Sequence, residues 1–445
     1  MNPIYSKNYN LIRLHPATSI LKSSNNYDFL SGKILTKMTP SRPQKIISSA
    51  LVMVSFLSLL IGCHSKTDGL GNLQSFPENT SVPSLVLGPQ NQPAILFVTS
   101  NDDSHALQFK LWENDAWSSA QTIAEDSLML VNWADRPQMS FGPDGTAYAH
   151  WLRLDPRGDF AYTIQAVRSS DSGTTWSEPT QPHRDTAIAE HGFAQWMPFD
   201  GGAALAWLDG RSFDGHPDLS KAPMEVRMAR WLASETWSDE LVLDSSACTC
   251  CPMDALSRQD GSYELVYRDR TDGEIRDFHR LHLQPSSGEW QDLGLLHSDG
   301  WEIAACPVNG ASLSQNDTRS LAIWYTGANN EPQVKFAWRT DPLKSFEPPA
   351  KLHQNTPLGR VASTTDMQGN FYALWLETNE TGGVDWMGQR WDASGIPQTE
   401  SPESLIPASE SRAGGFPTAV GLEKGVLIAW TNPFPKPHVM TAIWY

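Results

Sequence analysis

The side chains able to do chemistry in this chain are arginines, carboxylates and thiols that recur at short distances from proline or from a strand end. Arg136, Arg268, Arg270, Arg360 and Arg412 fall in such positions, with Asp209, Arg211, Asp269 and the pair Glu190-His191 beside them. Guanidinium groups converging on one point would clamp a carboxylate or sulfate in bidentate fashion. The competing outcome is that the same arginines pair with the nearby acids and tie loops together, as in YRDR (267–270) and EIRD (274–277). Four cysteines form a second group: Cys248, Cys250 and Cys251 in a CTCC run, and Cys306. In an exported chain their even number predicts disulfides, either Cys251 with Cys306 or a bridge from Cys248 or Cys250 to Cys306. The sharper alternative is a thiolate site for copper(I) or zinc, with His191 or His297 completing the shell.

What would bring these residues together is an internal repeat. A short strand ending in a large side chain returns seven times: at Val98, Trp151, Trp207, Tyr267, Trp324, Trp375 and Trp430, separated by 53, 56, 60, 57, 51 and 55 residues. Before it comes an extended segment, often near a proline, and then a glycine turn such as GPDG (142–145) or RQDG (258–261). After it come a variable loop, an alternating strand such as YTIQAVR, and a tryptophan turn such as TTWSEP or ETWSDE. Four strands per unit at near-constant period predict an all-β chain folded as a β-propeller of four-stranded antiparallel blades. Seven blades are favoured, with six if the first unit is irregular; a pair of β-sandwiches leaves the period unexplained. The last unit ends after its third strand, so the segment before Pro83 is expected to supply the fourth and close the ring. In such a blade the inner strand begins and the second strand ends on one face. That shared mouth would collect the arginines, carboxylates and thiols.

One turn carries a family likeness. Ser169-Ser170-Asp171-Ser172-Gly173-Thr174-Thr175-Trp176 matches the Asp-box pattern S-x-D-x-G-x-T-W and resembles the sialidase-like propellers. The resemblance implies that Ser169, Asp171, Gly173, Thr175 and Trp176 are structural, on the face away from chemistry. It further implies an arginine clamp, a tyrosine activated by a glutamate, and an aspartate acid/base. By loop position the clamp would be Arg136, Arg360 and Arg412, with Tyr325 as nucleophile, Glu190 as its base and Asp209 as the further acid; His191, Arg211, Arg268, Asp269 and Arg270 would line the ligand site. The usual F/Y-R-I-P motif is absent. EHGF (190–193), CTCCP (248–252), ACPVNG (305–310) and GRV (359–361) resemble segments of bacterial lipoproteins with sialidase-type repeats.

The start of the chain predicts where it works. Residues 46–62 form a short apolar run preceded by Arg42 and Lys45 and followed by Cys63. This pattern is that of a lipoprotein signal, with Cys63 the acylated residue and Met38 the expected true start. Residues 1–62 are therefore read as upstream segment and signal, 63–79 as tether and 80–445 as one propeller. The location implied is the bacterial envelope, lipid-anchored and sorted to the outer membrane. Taking the seven basic and one acidic residue of 1–62 from 33 and 50 leaves 26 and 49, a formal charge of −23. Such a surface repels phosphate backbones, so nucleic acid is not an expected partner. Three function classes follow: a glycoside hydrolase acting on an acidic glycan, a non-catalytic ligand- or protein-binding propeller, and a thiol or metal protein of the envelope.

Overall fold

The computed structural model describes residues 69–218, 221–341 and 344–445. The lipidation site predicted at Cys63 and the signal before it lie outside the described residues. The described chain is a seven-bladed propeller of antiparallel sheets. Among the described residues no helix is long and apolar enough to cross a membrane.

Blade one is built on Thr80–Leu87, Pro93–Ser100, His105–Glu113 and Gln121–Asp126, running from the axis outward. Blade two has Gln138–Phe141, Ala147–Leu154 and Tyr162–Ser169, with Thr180 bridged to Ala166 where a fourth strand would lie. The inner strands of blades three to six begin at His191, Asp254, Ala311 and Pro357. Blade seven is Thr418–Gly421, Val426–Asn432 and His438–Trp444, completed by Leu70–Ser75, which pairs Leu70 with Trp444 and Ser75 with Met440. The closing strand thus comes from the segment expected to be a tether. Its free backbone edge is better paired with the last strand of the chain than left in water.

Residue choice follows position in the blade. The second strand is covered on both faces by neighbouring blades, and Gly202–Asp209 is buried at every position. The third alternates, as in Met224–Leu232, and the outer strand is polar, as in Glu289–Leu295. Seven apolar clusters fill the seven gaps between blades; Tyr148, Trp196, Trp207 and Trp231 fill the one between blades two and three.

The inner strands have one edge that no strand pairs, and side chains of the adjoining blade satisfy it. Leu85 N donates to Thr418 Oγ1, Phe193 N to Asp135 Oδ1, Leu313 N to Asp254 Oδ2 at 2.7 Å and Ser363 N to Ser312 Oγ. Each link replaces a ladder bond with a circumferential one and leaves its acceptor facing the axis.

The turn at Ser169–Trp176 closes as its residues demand. Asp171 accepts bonds from Thr175 N, Thr175 Oγ1 and Ser169 Oγ, which hold its carboxyl down at about 2. Gly173 has φ +88°, and a Cβ there would meet the Phe109 ring at 2.4 Å. Trp176 packs edge-on against the same ring.

Candidate functional site: the axial channel and its mouth

All seven blades line an axial channel of about 250 Å3. Its wall is largely polar: Ser84, Gln138, Gln195, Ser312, Ser363 and Thr418, with Asp135, Arg136 and Asp254 as the ionisable groups among them. Burial raises the Asp254 carboxyl above its ordinary value, against the bonds from Leu313 N and Ala255 N, and lowers Arg136 to about 10. Arg136 has a single hydrogen bond, from Nη1 to Pro417 O at 3.4 Å, leaving most of its five donors unused.

The mouth above this channel is narrowed by apolar side chains from several entry loops. Trp133 stacks on Phe416 at 5.7 Å between centroids, and Phe193, Met253, Cys250 and Val308 pack with them. Arg360 and Arg412 both lie over Trp133, at 5.1 and 6.0 Å. Arg360 donates to the carbonyls of Glu410, Ser411 and Gly415, so it pins blade six to blade seven. The expected clamp of Arg136, Arg360 and Arg412 therefore splits. Two arginines cover the plug and the third lies in the channel.

The remaining arginines of the mouth are also occupied. Arg268 is buried between Phe278 and Trp301 and donates to the carbonyls of Arg276, Asn309 and Tyr325. Arg270 and Arg276 share Glu274. Asp269 accepts the Arg270 amide; its carboxyl is raised above the ordinary value mainly by burial. Tyr325, in blade five, packs against Trp301, whereas Glu190 opens blade three; no hydrogen bond joins the two. The nucleophile–base pair inferred from loop position is thus not assembled, because a shared face does not imply a shared sector of the ring. Glu190 has an acidic neighbour in Asp135. Burial pushes Glu190 up to about 7 and Asp135 up to about 8, and the Glu190 charge adds to the latter.

Between blades two and three lies a denser group. Asp209 is buried and accepts bonds from Trp207 Nε1 and from Arg211 Nε and Nη2. Arg211 also contacts Asp185 and Glu240, and Arg227 pairs with Glu240 and Glu225. His183 and His191 stack with centroids 4.0 Å apart beside Asp185. Asp209, read from loop position as an acid/base, is in place an ion-paired anchor.

The cysteines divide into a bridge and a thiol pair. Cys250 is bonded to Cys306, joining blades four and five, one of the pairings expected. Cys248 and Cys251 are buried free thiols with sulfurs 3.1 Å apart. Burial would raise the Cys248 thiol, but the bond from Cys251 and the charges of Arg276 and Arg268 hold it below its ordinary value, and Cys251 is raised in turn. His191 stands in the group with Asp185, and His297 beside Asp299 and Trp324, so neither joins the thiols.

Sequence reasoning missed Asp135, His183, Asp185, Trp133 and Asp254. Only Asp135, next to Arg136, and the H-x-D spacing of His183 and Asp185 ahead of His191 offered a signal.

No family model matches the chain, and no curated protein does. Solved structures do match. The BP39L lectin of Burkholderia pseudomallei aligns over 83% of this chain and 97% of its own, with a TM-score of 0.53 and 11% identity. The likeness is one of fold. An ulvan lyase of a polysaccharide lyase family, bound to a GlcA–Rha saccharide, covers 84% of this chain and 96% of its own at TM-score 0.51 and 9% identity. A Hadza microbial sialidase covers 67% of this chain and 63% of its own at TM-score 0.42 and 15% identity.

Proposed function

We propose that this propeller binds an acidic saccharide, or another small carboxylate, at the axial channel, with Arg136 as the cation that recognises it. The reading rests on one observation: Arg136 lies in a polar channel with a single 3.4 Å hydrogen bond, while Arg211, Arg268, Arg270, Arg276 and Arg360 are engaged by carboxylates or carbonyls. A desolvated guanidinium with spare donors gains most from a bidentate anion. Asp254, raised by burial, can take up a proton as the anion enters and so avoid repelling it. A lectin and an ulvan lyase share the fold, which is consistent with a glycan ligand. The occupied arginines and the separated Tyr325 and Glu190 favour binding over sialidase-type hydrolysis. The Asp171 turn supports the Asp-box likeness in structure rather than in chemistry. We further propose that the protein works from the envelope, anchored through Cys63.

Titration calorimetry with glucuronate, sialic acid and neutral glucose tests the ligand. One acidic sugar should bind, glucose should not, and Arg136→Gln should weaken binding at least about tenfold, a loss of roughly 1.4 kcal/mol. Equal binding by Arg136→Gln, or no acidic ligand at all, refutes the reading. Turnover of fluorogenic sialosides or uronides by the wild type would replace it with the hydrolase. Labelled palmitate incorporated by the wild type and not by Cys63→Ser tests the anchor.

A further inference from the structure

We propose that His183, Asp185 and His191 bind one divalent cation of the zinc class. These residues lie between blades two and three, apart from both the channel arginine and the cysteines. His183 and Asp185 come from the connection that enters blade three, His191 opens its inner strand, and Asp209 ends its second strand.

The geometry fits before any ion is placed. His183 Nδ1 lies 3.4 Å from Asp185 Oδ2, and His191 Nε2 lies 3.1 Å from the same oxygen. One donor atom from each of the three residues falls within 4.8 Å of the others. A tetrahedral ion with bonds near 2.0–2.1 Å needs ligand–ligand edges of about 3.3 Å. Asp209 Oδ2, 3.8 Å from His191 Nε2, stays outside this set and is held by Trp207 Nε1 and Arg211 Nη2, so the chain offers three ligands.

The hydrogen bonds point the same way. His191 Nδ1 faces Tyr162 O at 3.3 Å and is its natural donor, which leaves Nε2 with a lone pair aimed at a carboxylate oxygen. Two lone pairs at 3.1 Å repel unless a proton or a cation lies between them. His183 is 4% exposed, and its Nδ1, the nitrogen that faces Asp185, has no hydrogen-bond partner. Asp185 is steadied by the Ala187 amide on Oδ1, and Asp209 by Trp207 and Arg211. The ligand carboxylate, Asp185, thus has the supporting bond that a ligand needs.

Charge balance is the third line. The ion-paired network contains Asp185, Asp209, Glu225 and Glu240 against Arg211 and Arg227. With neutral imidazoles these six groups carry a net charge of −2, which one divalent ion offsets. Imidazole and carboxylate donors suit zinc and its neighbours rather than magnesium or calcium. The exposed stretch Arg184, Thr186 and Ile188 beside Asp185 gives the ion a way in.

The test uses purified protein stripped with a chelator. Zinc and cobalt(II) are titrated by calorimetry and metal analysis, and melting is followed with and without ion. One equivalent should bind and raise the melting temperature, and cobalt should give the absorption of a tetrahedral site. The double variant Cys248→Ser/Cys251→Ser should behave as wild type. His183→Gln and Asp185→Asn should each lose at least about 100-fold in affinity, the upper end of what loss of a supporting residue alone does. Should either variant fail to fold, the wild type still decides: no stoichiometric binding and no metal-dependent rise in melting temperature overturns the proposal. Binding abolished by the cysteine variant and kept by Asp185→Asn also overturns it.

Discussion

Replacing Asp135 by Asn should remove a pH dependence from the folding of this protein. The carboxyl is 2% exposed; Oδ1 accepts the Phe193 amide, and Oδ2 has no hydrogen-bond partner. Burial lifts it from an ordinary 3.8 to about 8, so near neutrality the native state holds a proton that the unfolded chain has released. A group with a raised native value stabilises fully below its unfolded value, and that contribution is lost as pH rises through the native one. Integrating the bound proton from about pH 6 to pH 8 gives a loss of at most about 2 kcal/mol in the wild type. Glu190, raised to about 7, works in the same direction but is present in both proteins and largely cancels. Asparagine keeps the acceptor for Phe193 N and cannot ionise. Urea unfolding of both proteins at half-unit steps should therefore show the variant gaining on the wild type by about 2 kcal/mol across that range, with unchanged m values. Parallel stability curves would mean that Asp135 is ionised or hydrated in the native state, and the argument for a dry acid beside the channel would fail.

Two further outcomes follow from buried groups. Glu264 is sealed between blades four and five and holds Arg339 at 2.5 Å, Arg258 at 2.8 Å and Arg280 at 3.3 Å. Glu264→Gln strands buried cations and should cost about 3–5 kcal/mol by urea unfolding, whereas a loss under about 1 kcal/mol would mark the cluster as solvated. The Cys250–Cys306 bridge closes a span of 56 residues, so Cys250→Ser should lower stability by about 4 kcal/mol under non-reducing conditions. Equal stability of wild type and variant there would show that the bridge does not form.

The fold was legible because a propeller repeats one packing problem. Each second strand is buried on both faces and carries a large residue near its end at Trp151, Trp207, Tyr267, Trp324, Trp375 and Trp430, so the period of about 55 residues is written in buried aromatic side chains. Closure was legible in part: a missing fourth strand was evident, but LGNLQS at 70–75 has no apolar alternation to mark it as a strand, and its place is fixed by backbone pairing with residues 440–444. The site was legible by face and not by sector. Repeat alignment places Tyr325 and Glu190 at the same height and says nothing of the angle between their blades. His183-Arg184-Asp185 has a counterpart in His297-Ser298-Asp299 ahead of blade five, each histidine lying against its blade's tryptophan, so the repeat marks the H-x-D and not the second histidine, His191, that stacks on it.

The arginines show why position alone misleads. Blade ends diverge from the axis, and the wedges between them expose carbonyls that the sheets leave unpaired. An arginine reaching across can satisfy three carbonyls with one side chain, as Arg268 and Arg360 do, so the repeat places arginines at the mouth whether or not a ligand comes there. Pins and ligand groups therefore share one sequence signature. What separates them is the number of donors left after the blades have been joined. Arg268 has spent its fork on backbone, and Arg211 has spent its own on Asp185, Asp209 and Glu240. Arg136 instead enters the axis, where the inner strands supply their own circumferential bonds and need no pin. Its charge is left facing Asp254 across a small polar space, and a cation so placed loses hydration and gains one long bond to a carbonyl, that of Pro417. That deficit is the physical reason to look for an anion in the channel rather than among the more numerous arginines of the mouth.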